Sequence, residues 1–374
     1  MSQKRRNFAT SKTVIIMNRT IILALLTLFS IGIIGKTNQN VINVKAGDAE
    51  SLLSAIEQAN KQNADSAKAE WLFIMIPDGV YDLGERVLTT ITGRRVALIG
   101  QSMTGTIIQN KPAIENEGIG KTATLRIMAC DTYLQDLTLK NALDYYKTQF
   151  AGRAVCLQDK GTRTICKRVR MLSYQDTYYS DNIAGQMYME NCEIHGTVDF
   201  ICGPADVYFN RCAIVTERCN SNAGGDNDDV IAAPRTRGTQ WGYIFESCVI
   251  YSHTSDFLLA RGWQATPHCI WLNTTLMSPE KLKESRFDPN GMRTVQSDFK
   301  EYHTMNADGQ DITPKSNVVT FTLDDRKNTV ETILTDKEAQ KYKLAKIFPK
   351  WRPEKVVGNM AGKAEKLKQQ YFSL

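Results

Sequence analysis

Residues 169–216 read VRMLSYQDTYYSDNIAGQMYMENCEIHGTVDFICGPADVYFNRCAIVT, and this stretch decides the fold. Two of its segments, MYMENCEIHG and VYFNRCAIVT, share one design: a short alternating apolar run, a polar turn, and a second short run. Such runs are typical of strands that bury one face. When the segments are superposed, Cys192 and Cys212 occupy the same position. The sequence therefore predicts a repeating strand unit.

Related units extend this repeat in both directions. YLQDLTLKN and ICKRVRMLS begin before the stretch, and YIFESCVIYS and IWLNTTLMS follow it. Their alignment gives one equivalent position, with steps of 32, 23, 20, 36 and 27 residues, at Leu137, Val169, Cys192, Cys212, Cys248 and Thr275. A variable period with insertions is typical of a parallel β-helix, whose coils stack on one another. A β-sandwich also has many short strands, but its Asn-Gly and Asp-Gly hairpin turns are few here.

Helical patterns occur near the ends of this repeat. Asp48 is the predicted N-cap of a short helix. At the other end, TDKEAQKYKLAKIF predicts a helix capped by Thr335 or Asp336, and AGKAEKLKQQYF predicts a second. We therefore predict an all-β, single-domain parallel β-helix over residues 41–325. A helical tail, residues 326–374, is expected to pack on it.

The N-terminal segment has the pattern of an export signal. Ile21 to Ile34 read IILALLTLFSIGII, an uncharged apolar run that follows a basic region. This run is short for a membrane span and suits a signal peptide, which we place at residues 1–36, with Met17 as a possible start. An uncleaved membrane anchor is the alternative. We expect export to the periplasm, cell surface or medium, with no stable membrane insertion after signal removal.

Charge is concentrated in that segment. The chain has 46 Lys and Arg against 40 Asp and Glu, a net charge of +6. The first 36 residues contain no acidic residue and six basic ones, Lys4, Arg5, Arg6, Lys12, Arg19 and Lys36. The remainder then carries 46 − 6 = 40 basic and 40 acidic residues and is formally neutral. Bulk charge therefore does not point to a polyanion, and we expect no nucleic-acid partner. We also expect the protein to be a monomer.

Two aspartates stand at the same offset in neighbouring units. Asp176 follows Val169 by seven residues, and Asp199 follows Cys192 by seven, so the aspartates are 23 residues apart. Stacked strands lie about 4.8 Å apart, which predicts neighbouring carboxylates on one face. Such a pair tends to divide its pKa values, giving one ionised and one protonated group. An arbitrary pair of aspartates more often stabilises turns, so the neighbouring residues must show whether this pair is catalytic.

Those neighbours resemble a known family. SYQDTYYS, GTVDFICG and LLARGW are similar, in order and spacing, to the QDT, GxVDFIFG and LGRPW motifs of the pectin methylesterase (pectinesterase) family. IPDGVYDLGE, GRAVCL and DFKEYHTMNADG match further motifs of the family. The resemblance implies a right-handed parallel β-helix. It also implies a bacterial exported enzyme that hydrolyses methyl esters of galacturonate in pectin or another methylated pectic polysaccharide.

The resemblance assigns four catalytic residues. Asp199 is expected to be the nucleophile that attacks the ester carbonyl, and Asp176 the general acid and then the general base. Gln175 is expected to donate to the oxyanion. Arg261 is expected to pair with Asp199 and keep it ionised, since a nearby guanidinium favours the charged carboxylate. The chemistry uses no metal and no cofactor.

Four further residues are expected to bind substrate. By the resemblance, Trp263 and Phe200 line the sugar groove, and Arg153 stands where the family has a second oxyanion donor, Gln. Arg153 can still donate but adds a charge. Tyr178 is the aromatic residue that we favour, over Tyr179 and Trp241, as a further platform for sugar stacking.

Two other departures from the family pattern concern smaller residues. Gly262 replaces the Pro of LGRPW, which loosens the turn that carries Arg261 and Trp263. Cys202 replaces the second Phe of VDFIFG, and we expect only a change in the core. The nine cysteines include no CxxC pair, which argues against a zinc site. We expect most of them to be buried free thiols.

Rival functions remain at this point. A polygalacturonase-type glycosidase or a pectate lyase also uses a β-helix, and two close carboxylates suit a retaining glycosidase. The glycosidase motifs NTD, GHG and RIK are missing, as is a convincing calcium cluster for a lyase. A non-catalytic pectin-binding β-helix is the other alternative, and Arg153 is the feature that favours it.

Overall fold

Alternating apolar runs form short strands through most of the chain. The computed structural model describes residues 40–64, 69–149, 152–219, 229–292, 298–323 and 326–372. The strands are β1 Val41–Asn43, β2 Leu72–Ile76, β3 Gly79–Asp82, β4 Thr89–Ile91, β5 Val96–Gly100, β6 Thr106–Asn110, β7 Leu125–Ile127, β8 Tyr133–Asn141, β9 Leu157–Asp159, β10 Thr164–Leu172, β11 Tyr178–Tyr179, β12 Gln186–Glu190, β13 Glu193–Gly196, β14 Val198–Gly203, β15 Asp206–Asn210, β16 Ala213–Thr216, β17 Val230–Pro234, β18 Tyr243–Glu246, β19 Val249–Ser252, β20 Leu258–Trp263, β21 His268–Leu272, β22 Thr275–Leu276, β23 Phe287–Met292, β24 Asp298–Tyr302, β25 Met305–Asn306, β26 Val318–Leu323 and β27 Arg326–Glu331. The α-helices are α1 Ala49–Gln62, α2 Asp336–Ala339, α3 Leu344–Ile347 and α4 Pro353–Tyr371, with 3-10 turns at Ile114–Asn116, Tyr145–Lys147, Pro279–Lys281 and Gln340–Tyr342.

The strands pair in parallel and form three stacks. The first stack contains β2, β5, β12, β15, β18, β21 and β24, and the second contains β3, β6, β13, β16, β19, β22 and β25. The long strands β8 and β10 contribute one half to each of these two stacks. The third stack contains β4, β7, β9, β11, β14, β17, β20 and β23. The chain visits the stacks in turn, once per coil, so the predicted parallel β-helix is confirmed.

The corner between the first and second stacks repeats one backbone conformation. The corner residues have φ between 49° and 56° and are Asp136, Arg168, Asn191, Arg211, Ser247, Asn273 and His303. This left-handed conformation is uncommon for residues other than glycine. It turns the strand direction within a single residue, and its recurrence keeps the coils in register.

The interior of the coils holds columns of like residues. Cys192, Cys212 and Cys248 occupy equivalent buried positions on successive coils, and all nine cysteines are free thiols. Phe245 stacks between two other rings, with its centroid 4.4 Å from that of Phe209 and 3.8 Å from that of Trp271. These aromatic rings lie one above another because the strands that carry them pair without a shift.

One alignment predicted from the repeat is wrong by one residue. Val249 pairs with Thr275, so Thr274, and not Thr275, lies opposite Cys248. Two adjacent threonines have the same β propensity, and the alternating pattern alone does not distinguish them.

The predicted tail also begins later than expected. Residues 326–331 form strand β27, which pairs antiparallel with β26, and the first helix starts at Asp336. Thr335 caps that helix and forms a capping box with Glu338. The β-branched residues of VVTFTL and RKNTVE favour the hairpin over a helix.

Helix α4 packs on the β-helix through apolar and charged contacts. Its inner face buries Val357, Met360 and Leu367. The Lys368 ammonium pairs with the buried carboxylate of Asp136, which also receives Arg168. No helix among the described residues is long and apolar enough to span a bilayer. The predicted export signal, residues 1–36, lies outside the described residues.

The aromatic ladder provides a test of the core. Phe245→Ala removes stacking contacts on both sides of a buried ring and leaves a cavity. We expect the free energy of unfolding to fall by about 3–5 kcal/mol, measured by urea denaturation. Tyr251→Ala, at an exposed position of β19, is the control, with an expected change of about 0.5 kcal/mol or less. A loss below about 1 kcal/mol for Phe245→Ala would contradict this account of the core.

Candidate active site

The two predicted aspartates lie on adjacent coils of the third stack. Tyr178 pairs with Ile201, a separation of 23 residues, so Asp176 and Asp199 occupy equivalent places. The Asp176 amide donates to the Val198 carbonyl at 3.3 Å. Both aspartates have left-handed backbones, with φ of 59° and 52°, and both side chains are almost completely buried.

A β-bulge shapes the backbone at Asp199. Val198 pairs with Val230 and Ile201 pairs with Ala232, so Asp199 and Phe200 together face one residue of β17. A bulge redirects a side chain relative to its neighbours along the strand. Here it leaves the Asp199 carboxylate beside the next coil but one, where β20 carries Arg261.

Arg261 holds Asp199 in a two-point pair. The Arg261 Nε lies 2.7 Å from Asp199 Oδ1, and its Nη2 lies 2.6 Å from Oδ2. Only 8% and 5% of the two side chains are exposed, so solvent screens the pair weakly. A bidentate guanidinium fixes the orientation of a carboxylate and stabilises its ionised form.

Asp176 has the opposite electrostatic environment. Burial raises the pKa of Asp176 well above its ordinary value, and the negative charge of Asp199 raises it further. Arg153, the Cys202 thiol and Arg261 oppose these effects less strongly. The two carboxyl groups therefore have opposite environments: the guanidinium favours the ionised form of Asp199, while burial and the neighbouring charge favour the protonated form of Asp176. This arrangement provides a nucleophile or base next to a general acid.

Gln175 and Arg153 lie on neighbouring coils beside Asp176. They form a parallel β-bridge, and the Ala154 amide donates to the Gln175 carbonyl at 3.0 Å. The Gln175 side chain is partly exposed. The Arg153 guanidinium binds Glu117, with Nη2 3.2 Å from Oε1 and Nε 3.3 Å from Oε2. Glu117 thus balances the charge that Arg153 brings to the site.

Trp263 belongs to an aromatic and cationic group on the outer face of the third stack. Its ring centroid is 6.1 Å from that of Tyr179, and the Arg235 guanidinium carbon lies 4.9 Å from the Trp263 centroid. Trp263 is partly exposed and packs against the cluster that contains Cys202 and Ala233. This group is suited to contact with a sugar ring, since it combines an aromatic face with a nearby donor.

The structure contradicts two of the predicted substrate contacts. Tyr178 and Phe200 are completely buried, and both side chains belong to the core inside the coils. Tyr178 pairs with Leu157 and Ile201, whose side chains also point inward. Strand alternation therefore directs Tyr179 outward, and the prediction chose the wrong member of the pair. At the bulge, Asp199 faces outward and the next residue, Phe200, faces the core.

Sequence reasoning missed Cys202 as a residue of the site. Its side chain is buried on the outer face and packs beside Tyr179, and its Sγ lies 3.6 Å from Asp176 Oδ1. The expectation of a simple core change was therefore wrong. The 23-residue offset contained the signal, because it places Cys202 opposite the outward Tyr179.

Metal ligands do not cluster in the part of the chain that the structure describes. No group of three or more His, Cys, Asp or Glu residues there is arranged to hold an ion. His195 lies outside the aspartate site, between Glu193 and Glu217, with each ring nitrogen 2.8 Å from a carboxylate oxygen.

The chain is similar to known proteins in sequence. The profile of the family described as Pectinesterase matches residues 40–346. Putative pectinesterase 11 from Arabidopsis thaliana is 30% identical over 220 residues, which are 59% of this chain and 56% of that protein. Pectinesterase 3 from Solanum lycopersicum is 28% identical over 271 residues, or 70% and 46% of the two chains. The chain spans about half the length of the curated relatives it matches.

Solved structures share its fold. Pectin methylesterase PemA from Erwinia chrysanthemi superposes with a TM-score of 0.64 at 23% identity, covering 85% of this chain and 99% of that one. Pectin methylesterase from carrot gives a TM-score of 0.62 at 20% identity, covering 83% and 93%.

The thiol contact of Asp176 can be tested directly. The Cys202 hydrogen bond lowers the pKa of Asp176, so Cys202→Ala removes that effect, and we expect this pKa to rise further. Cys202→Ser keeps a donor of similar size and is expected to leave the pKa close to that of the wild type. Carboxyl carbon shifts in a pH titration of protein labelled at aspartate measure both. An Asp176 pKa in Cys202→Ala equal to that of the wild type would show that the thiol does not act on Asp176.

Proposed function

The chain belongs to the pectinesterase family, and on this premise we propose that it hydrolyses the C6 methyl esters of galacturonate units in pectin. The products are methanol and de-esterified pectin. One observation carries the proposal: a carboxylate fixed by a guanidinium at 2.6 and 2.7 Å lies beside a second, buried carboxyl group whose pKa is raised well above its ordinary value.

The first half-reaction uses both carboxyl groups. An Asp199 oxygen attacks the ester carbonyl carbon, and the carbonyl electrons move to oxygen. When the tetrahedral intermediate collapses, the bond to the methoxy oxygen breaks, and Asp176 gives that oxygen its proton. Methanol leaves, and the galacturonyl group remains joined to Asp199 as an anhydride. Gln175 donates to the oxyanion, and its partly exposed amide at the bridge with Arg153 suits that role.

The second half-reaction reverses these roles. Asp176, now ionised, takes a proton from water while the water oxygen attacks the acyl carbon. The acyl–oxygen bond breaks, the galacturonate carboxyl group is released, and Asp199 returns to its carboxylate form. Arg261 stabilises that carboxylate at the start and at the end of the cycle.

Arg153 is compatible with catalysis. An unpaired Arg153 cation would lower the pKa of Asp176 and favour loss of the proton needed for catalysis, which would support a non-catalytic binding protein. Its pairing with Glu117 weakens that argument, because the pair is formally neutral. The Arg153 side chain is 41% exposed, and its guanidinium keeps donors for a second contact with the oxyanion or a sugar hydroxyl.

The proposed substrate is a methylated pectic chain. Trp263, Tyr179 and Arg235 supply an aromatic and cationic surface beside the aspartates. Structures of a pectin methylesterase with bound hexasaccharide share the fold. We also propose that the protein is a monomeric bacterial enzyme, exported by the signal in residues 1–36 and without stable membrane insertion afterwards.

Removing either carboxyl group tests the assignment. We expect Asp199→Ala to lower kcat for methanol release from methylated pectin on the order of 10⁴-fold or more, since the nucleophile is lost. Asp176→Ala is expected to lower it about 10²–10⁴-fold. Asp308→Asn, in an exposed turn, is the control with unchanged kcat. Wild-type rates in both site variants would exclude the proposed reaction.

The pH dependence follows from the raised pKa of Asp176. The first half-reaction needs Asp176 protonated, so kcat is expected to fall as pH rises through that raised pKa. Asp176→Asn has no proton to lose, and we expect its residual activity to lack this alkaline fall. Initial rates of methanol release across pH, with circular dichroism to confirm folding, measure both profiles. An identical alkaline fall in wild type and Asp176→Asn would assign it to another group.

A further inference from the structure

A cavity of about 490 Å³ opens beside the second stack. Its volume lies within the range of small-ligand sites. Its floor includes Leu172 and His195, which are in register with Lys140 on successive strands. The lining residues are Lys111, Lys140, Asn141, Ala142, Leu143, Asp144, Tyr145, Tyr146, Leu172, Ser173, Tyr174, His195 and Glu217. The proposed catalytic residues are not among them.

Three tyrosines form one wall of this cavity. The rings of Tyr145 and Tyr174 stack with centroids 4.5 Å apart and planes 9° from parallel. Tyr146 meets both edge-on, at 5.1 and 5.5 Å. Its hydroxyl donates to the Arg218 carbonyl at 3.0 Å, and 49% of the residue is exposed. The wall therefore offers a fixed aromatic surface that a ligand can cover.

Two lysines of the cavity lining are free of ion pairs within the part of the chain that the structure describes. Lys111 and Lys140 have no carboxylate partner among the described residues. Asp144 pairs with Lys147 at 2.6 Å. Glu217 lies 2.8 Å from His195, which also contacts Glu193, and 3.1 Å from His253. An ammonium group is a mobile point charge that suits a carboxylate of varied orientation.

We propose that this cavity binds the galacturonate units of a de-esterified pectic oligosaccharide. An acidic sugar matches both observations, because its ring can lie on tyrosine while its carboxylate meets lysine. A simple inorganic anion would use the lysines but not the aromatic wall. The identity of the sugar rests on the proposed function, since galacturonate is the product of that reaction.

The turn at residues 173–177 connects the cavity to the catalytic residues. Tyr174 contributes its ring to the cavity and directly precedes Gln175 and Asp176. Its carbonyl accepts from the Thr197 amide at 3.0 Å, on the segment that leads to Asp199. A partly de-esterified chain held at the cavity is thus held by the turn that carries the acid and the oxyanion donor.

Binding of fully de-esterified trigalacturonate tests the proposal. We expect isothermal titration calorimetry to show a site that the double variant Lys111→Gln, Lys140→Gln weakens at least tenfold. Tyr146→Ala, which leaves both lysines, is expected to weaken the same site. The matched control, Lys350→Gln with Lys366→Gln, changes two exposed lysines of the C-terminal region and should bind as the wild type does. Trp263→Ala should affect only binding at the aspartates.

Two further ligands, a neutral sugar and an inorganic anion, test whether the cavity recognises an acidic sugar. We expect neutral galactotriose not to bind at the cavity and phosphate not to displace trigalacturonate at equal concentration. Displacement by phosphate, equal binding of galactotriose, or affinities unchanged in the lysine and tyrosine variants would each overturn the proposal.

Methanol release distinguishes this proposal from the proposed function. If the wild type releases methanol and the double lysine variant binds trigalacturonate with unchanged affinity, only the cavity proposal is overturned. Lysine-dependent binding by a wild-type protein that releases no methanol overturns only the proposed function. In the supporting case, the lysine variant raises KM for partly de-esterified pectin and leaves kcat near that of the wild type.

Discussion

In-register parallel stacking is the constraint on which the rest of this structure depends. Each coil repeats the hydrogen bonds of its neighbour, so a residue type that suits one position recurs at the same position one coil later. The left-handed corners, the cysteine column and the Phe209–Phe245–Trp271 ladder all follow from that repetition. The same repetition places Asp176 beside Asp199, although nothing in core packing calls for two carboxyl groups there.

Two adjacent buried carboxylates would be unstable if both were ionised and unpaired. The two carboxyl groups avoid this instability because their electrostatic environments differ. Asp199 pairs with the guanidinium of Arg261 on β20, while burial and the charge of Asp199 raise the pKa of Asp176 and so favour its protonated form. The arrangement that makes the pair compatible with folding also provides the separate nucleophile and acid that the proposed reaction needs. The Arg153–Glu117 pair extends the principle, since a cation next to Asp176 is compensated by a carboxylate from an earlier coil.

The periodic features of the site could be predicted from the sequence, and the exceptions to periodicity could not. The 23-residue offset gave the aspartate pair, and its extension from Tyr179 would have given Cys202. Phe200 was misplaced because a bulge has no signature in an alternating pattern. Tyr178 and Tyr179 are chemically alike, so only the register separates the core residue from the surface one. Glu117 contacts Arg153 from a loop of an earlier coil. Loops do not share the spacing of the strand repeat, so the sequence pattern could not predict this contact.

If the proposed function and the cavity proposal both hold, local charge, and not bulk charge, distinguishes the two forms of a pectic chain. Beyond residue 36 the chain is formally neutral, with 40 basic and 40 acidic residues, so long-range attraction would not favour product over substrate. A methyl ester is uncharged and suits the Trp263 surface, where the nearby carboxylate is already paired with Arg261. A free galacturonate is charged and suits the cavity of Lys111 and Lys140. Two sites of different electrostatic character, connected by one turn, would thus bind the esterified and de-esterified parts of the same polymer.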